Sequence, residues 1–206
     1  MSSSLSVYLL DVAATRALVG SRNDQLLEVI SGSFGDDLAR DDDYFSYEIE
    51  QGAPKAYEAL RAVVHGGPFS DEEDHAFQYG YAYKRLCSLT GSFLDNSSFT
   101  PHRGDWLSVV DQGLKALGIT AVSVEEFSYG GLPSPLPYTF TPGCGEWTPG
   151  QIAQALEQFE ATKRAVHESG EAPPLEPEVV DAVMQCIGWM RHAQERPGFG
   201  VIGFRS

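Results

Sequence analysis

The sequence predicts an α+β fold, mainly helical, with a small sheet that pairs a strand near the N-terminus with one near the C-terminus. Three observations predict it. Ser4–Leu10 and Gly200–Arg205 are short apolar runs at opposite ends of the chain, natural partners in one sheet. Between them, apolar residues recur at helical spacing in Pro54–His65, Trp106–Gly118, Thr148–His167 and Glu178–Gln194. At the centre, HGGPFSDEEDHAFQYGYAYKRLCSL reads as a helix over about 70–89 that is apolar or aromatic nearly all round, the mark of a buried helix. A chain of 206 residues, 42% hydrophobic, is long enough to form one domain, 1–206, without disulfides.

Each element follows from local chemistry. Asp11 caps a short helix after the first strand. Asn23 or Asp24 starts another, which carries Leu26, Leu27 and Ile30 and should stop near Gly32. Phe34–Gln51 holds Asp36, Asp37, Asp41, Asp42, Asp43, Glu48 and Glu50 against Arg40 alone, so it reads as a solvated loop or an exposed helix face. Pro54 suits the first position of the next helix, and His65 suits its negative end. Gly66-Gly67-Pro68 breaks the chain, and Ser70 with Glu73 has the spacing of a capping box for the central helix. On that helix Phe77 and Tyr81 share one face, while Tyr79, Tyr83 and Leu86 share another.

Ser92–Asp105 is a polar loop of turn-forming residues, and Asp105 is placed to cap the helix that follows. Ile119–Phe127 alternates and is either a strand or an extended packing segment. Tyr129–Pro149 holds five prolines and reads as a long irregular loop, of the kind that is often functional. Cys144 lies in it between two glycines, beside Glu146 and Trp147, and no histidine is near in sequence to activate it. Glu171–Pro177 is a proline linker.

Composition bounds the setting. Net charge is −15, from 29 acidic and 14 basic residues. Phosphate repulsion then disfavours nucleic acid, whereas a basic protein is an admissible partner. Three separated cysteines with no CxxC pair exclude zinc-ribbon and thioredoxin-like sites and suit a reducing, cytoplasmic compartment. No run is long enough for a membrane span, and the N-terminus lacks the pattern of a signal peptide. The acidic stretch lacks the calcium-loop pattern, and no nucleotide or cofactor motif occurs, so no metal and no cofactor is expected. Nothing sets an oligomeric state.

Two functions fit these residues. The first is a binding or regulatory protein, for instance an immunity-type inhibitor, that docks a basic partner on its acidic surface. The second is a small enzyme with a pocket between the central helix and the 92–105 loop. Its candidate residues are His75, His102 and Arg103, with Tyr79, Tyr83 and Asn96 as ligand-binding groups. His102 would serve as general base, Arg103 would hold a carboxylate or phosphate, and a tyrosine would orient the substrate. The plainer account makes the aromatics core, the histidines satisfied or exposed, and the acidic run a solvated face.

Three blocks carry a family resemblance: SVYLLD at the start, HGGPFSDEEDHAFQYGYAYKRLC with FLDNSSFTPHRGDW in the middle, and PGFGVIGF at the end. Over essentially its whole length the chain resembles a bacterial family of uncharacterised cytosolic proteins, a domain of unknown function. More distantly it resembles YfbM-like proteins, through Lys55-Ala56-Tyr57 and Leu60. Glu58 and Arg61 stand where that group often has histidines, so chemistry resting on those histidines does not carry over. The resemblance implies a mainly helical α+β fold and no particular activity.

Overall fold

The computed structural model describes residues 2–206. Its centre is a four-stranded antiparallel sheet of strand order β3-β2-β6-β5. Strand β2 (Leu5–Asp11) pairs along its whole length with β6 (Phe199–Arg205), from Leu5 opposite Arg205 to Asp11 opposite Phe199. The strands from the two ends of the chain are therefore the central pair of the sheet, as their composition predicts. Strand β3 (Ser92–Phe93) flanks β2, and β5 (Gly143–Trp147) flanks β6. A separate two-residue ladder joins β1 (Ser2–Ser3) to β4 (His102–Arg103).

Side chains of a strand alternate between its faces, so the sheet builds two cores at once. Leu5, Val7, Leu9 and Val201 face one core, with α6 (Trp106–Ala116), α8 (Pro149–Ser169) and α9 (Pro177–Gln194). Tyr8, Leu10, Ile202 and Phe204 face the other. That second core is covered by α1 (Val12–Arg16), α2 (Asp24–Tyr44), α4 (Ala56–His65) and α5 (Ala76–Thr90). The fold is thus α+β and mainly helical, with helices on both faces of a small sheet. The first core holds a chain of aromatic rings, Phe127 on Trp147, Trp147 on Trp189 and Trp189 on Phe99. Trp147 and Trp189 each donate the indole N–H to a backbone carbonyl, of Ser123 and of Asp95, which satisfies the one polar atom of each.

The central helix is buried, but it starts later than its sequence suggests. Residues 73–75 form a single 3₁₀ turn and α5 begins at Ala76. Ser70 makes no capping box with Glu73. Its hydroxyl accepts from the amide of Glu72 and meets Nδ1 of His75 at 3.0 Å, so it knits the turn before the helix. Along α5, Tyr79, Tyr83 and Leu86 are buried, while Phe77 and Tyr81 are half-buried on the opposite face, the division their spacing predicts.

Four other boundaries differ from expectation. Helix α2 does not stop at Gly32 but runs on to Tyr44, kinked at Phe34. Gly32 and Gly35 lie on its open side, and buried Leu38 continues its apolar stripe, so packing overrides the weak glycine propensity. Pro54 lies outside α4, whose first amide, that of Ala56, is capped by the Asp42 carboxylate at 2.7 Å. Asp105 precedes α6 without capping it through its side chain. Residues 119–125 form no strand: this extended segment is tied to α6 by buried Asp111, which accepts from the Val124 amide at 2.7 Å and the Ser123 hydroxyl at 2.9 Å.

The largest departure is β5, a strand inside the segment that reads as loop. It is legible only from the packing it permits. Gly145 is the register partner of Gly203, and the short helix α7 (Glu126–Tyr129) lies directly on both. A Cβ on Gly145 would meet the carbonyl oxygen of Glu126 at 1.9 Å, and one on Gly203 would meet the ring of Phe127 at 2.4 Å. These glycines are a flat seat for α7, not a break in the chain.

Candidate functional site

Two acidic stretches that are distant in sequence come together around a groove walled by aromatic rings. One reaches it through Glu48 of α3 (Ser46–Glu50), and the other is the Asp71–Asp74 segment ahead of α5. The groove has a volume of about 920 Å³, with Glu48, Glu72 and Asp74 on its walls. Phe77 and Tyr81 line it together with Phe45, whose ring centroid is 4.9 Å and 5.1 Å from theirs. A second recess of about 600 Å³ shares Glu72, Asp74 and Phe77 and extends to Tyr138 and Phe140. Between them the two carry Tyr47, Tyr138 and Phe140, which are 71%, 61% and 82% exposed.

Not every carboxylate in this region is free. Arg85 holds Asp41 at 2.8 Å, Arg40 holds Asp37 at 2.9 Å, and Asp42 is spent on the amide of Ala56. Among the described residues, no cationic side chain pairs with Asp43, Glu48, Glu50, Asp71, Glu72, Glu73 or Asp74. What remains is a field of unpaired negative charge interleaved with exposed aromatic faces.

Of the residues proposed from the sequence, His75 is at this groove and Tyr79 is buried behind it. His75 lines it, and Ser70 joins the two, since its hydroxyl meets His75 and its amide donates to the Tyr79 phenol at 2.8 Å. The other four lie elsewhere, in two places. Asn96 donates its amide to the Leu5 carbonyl and to the Thr100 hydroxyl, which pins the 92–105 loop to β2. His102 is buried in the same loop. Its Nδ1 lies 2.7 Å from the Phe99 carbonyl, which can only accept, so Nδ1 carries the proton, and Nε2 has no partner among the described residues. Arg103 is exposed beside it, and both line a cleft of about 360 Å³ with Trp106, Glu178 and Asp181. The loop carries Leu94 and Phe99 into the first core, so this cleft lies on the α6–α9 side and not beside α5.

Tyr83 lies against the second core and lines a different cleft, of about 280 Å³, at the edge of β5. Arg16, Glu126, Cys144 and Glu146 line it too. Arg16 and Glu146 form an ion pair at 2.7 Å. Burial raises the carboxyls of Glu126 and Glu146 above the usual range, with the charges of Asp111 and Glu146 adding to the rise at Glu126 and Arg16 opposing it at Glu146. Burial, reinforced by Glu146, pushes the Cys144 thiol up, the reverse of what a nucleophile needs. Glu126, Glu146 and Arg16 are absent from the sequence-derived candidates. Their only advance signal was Glu146 beside Cys144, since Glu126 and Arg16 reach the cleft only through the pairing of β5 and the seating of α7.

Among the described residues, no group of three or more His, Cys, Asp or Glu side chains is arranged to hold a metal ion. No helix among them is long and apolar enough to cross a membrane. No curated protein matches the chain, and no solved structure matches it. One family model covers residues 1–206 in full, and by that match the chain belongs to the family described as domain of unknown function DUF7691.

Proposed function

We propose that this chain is a binding protein that docks a basic segment of a protein partner in the acidic, aromatic-lined groove. The meeting of Glu48, from the 36–50 acidic stretch, with the Asp71–Asp74 segment around that groove carries the reading. Unpaired carboxylates steer a basic partner in, and exposed tyrosines and Phe140 offer cation–π faces and anchor area. An immunity-type role, neutralising a basic toxin or effector, is the form of regulation this chemistry suits. The free, buried cysteines support placing the protein in the cytosol. Lys55-Ala56-Tyr57 and Leu60 at the start of α4 support a distant kinship with bacterial YfbM-like proteins.

Titration of a labelled Lys/Arg-rich peptide tests the docking. Saturable binding should weaken by about tenfold or more as salt rises from roughly 50 to 300 mM, because exposed ion pairs are screened. Replacing Glu72 and Asp74 with Gln and Asn should weaken it further. Equal binding of a Glu-rich peptide, or indifference to both changes, would refute the reading.

A small enzyme is the second reading, favoured by the free Nε2 of His102 beside Arg103. There His102 would act as general base and Arg103 would hold an anionic group. Glu178 and Asp181 line the same cleft and oppose an anion, so docking stands first. Inorganic phosphate that perturbs the His102 ring resonances in the native chain but not in Arg103→Met would support it, and no perturbation would remove it.

A further inference from the structure

We propose that the cleft at the edge of β5 binds a small organic cation, an alkylammonium or guanidinium head group, between the Glu126 carboxylate and the Tyr83 hydroxyl. The cleft is built by rigid backbone. Its rim turns round the sheet edge at Gly130–Pro133, where the Gly131 amide donates to the Cys144 carbonyl at 2.8 Å. The seat of α7 on Gly145 fixes where Glu126 leaves the backbone.

Among the described residues, two buried polar atoms of this wall meet no partner: Oε2 of Glu126 and Oη of Tyr83. Tyr83 is only 1% exposed, and among the described residues its hydroxyl meets no partner in hydrogen-bond geometry. Such atoms cost free energy when left alone, and both belong to residues that line one cleft, which calls for a donor there. Charge says which donor. Two carboxylates line the cleft against one cation, and Arg16 is already engaged by Glu146. A ligand with one positive charge and several N–H donors completes Glu126 and can also donate to the Tyr83 oxygen. A neutral alcohol leaves the charge uncompensated, and a carboxylate is repelled. A volume of about 280 Å³ admits a head group with a short chain, being below the range of drug-sized sites.

This inference is independent of the docking groove. The test is an NMR titration of the isotope-labelled full chain with n-butylammonium, with n-butanol and butyrate as neutral and anionic matches. Butylammonium should shift the amides of Gly130, Gly131 and Gly145 saturably, at least about tenfold more tightly than butanol, with butyrate inert. Glu126→Gln should lose at least about tenfold in affinity, and Tyr83→Phe, which removes only the hydroxyl, about threefold. If Glu126→Gln fails to fold, Tyr83→Phe decides alone. No saturable shift at those amides, an equal response to butanol or butyrate, or unchanged affinity in the variants would overturn the proposal.

Discussion

Packing alone holds the phenol of Tyr83, since its hydroxyl is buried without a partner. Its removal should therefore not harm the fold. Tyr83→Phe is expected to leave stability unchanged or raise it by about 1 kcal/mol, measured by urea unfolding, because no hydrogen bond is lost and a desolvated dipole is relieved. Glu126 makes the matching case for charge. Burial raises its pKa in the folded chain above that of an ordinary glutamate, so the folded protein keeps the proton more firmly than the unfolded chain does. Stability from this group is greatest at acid pH and declines as pH climbs through the interval above 4.5. Glu126→Gln should consequently be more stable than the native chain at pH 7, with the gain vanishing near pH 4. A gain equal at both values would show that the carboxyl is not perturbed. Gly145 leaves no room at all: Gly145→Ala, with a Cβ driven into the Glu126 carbonyl, is expected to cost about 3 kcal/mol or more in thermal or urea unfolding.

Gly145 also bears on why elements were unevenly legible. Strands β2 and β6 announce themselves through runs such as Val7–Leu10 and Val201–Ile202, and α4, α8 and α9 through stripes such as Leu60, Val63 and Val64. Periodicity carries that information within one element. Strand β5 has no such run, because Gly143 and Gly145 are there to be covered by α7, and that need belongs to the pair of elements. Ser70–Glu73 failed for a related reason. Its spacing fits a cap, but His75 and Tyr79 compete for Ser70, and neither competitor is a local sequence signal. Asp111 likewise looks like one more surface acid on an amphipathic helix. It is instead the buried acceptor that fastens residues 119–125, with Lys115 at 3.3 Å as its countercharge. Asp111→Ala should cost about 3 kcal/mol, since it strands a buried amide and a hydroxyl. Hydrogen exchange should then show the 119–125 amides opening ahead of the sheet, and equal protection there would mean the segment is held by packing alone.

Over the whole molecule, a net charge of −15 is compatible with plain solubility. What distinguishes the groove is where the charge lies relative to the rings. Each acidic stretch was visible in the sequence, as were the two faces of α5. Their meeting was not, because α3 reaches the Asp71–Asp74 segment through the packing of α2 and α5 around α4. The expected single pocket of six residues also dissolves at this scale. The 92–105 loop takes His102 to the first core's side of the sheet, while Tyr83 stays with the second. The claim that the groove receives a basic partner is tested most directly by mapping where a Lys/Arg-rich peptide perturbs the amide spectrum of the native chain. Docking in the groove predicts saturable shifts confined to residues 44–51, 71–77 and 138–141, lost when Tyr47 and Phe140 are replaced by alanine. Shifts scattered over the whole acidic surface, unchanged by those replacements, would contradict it.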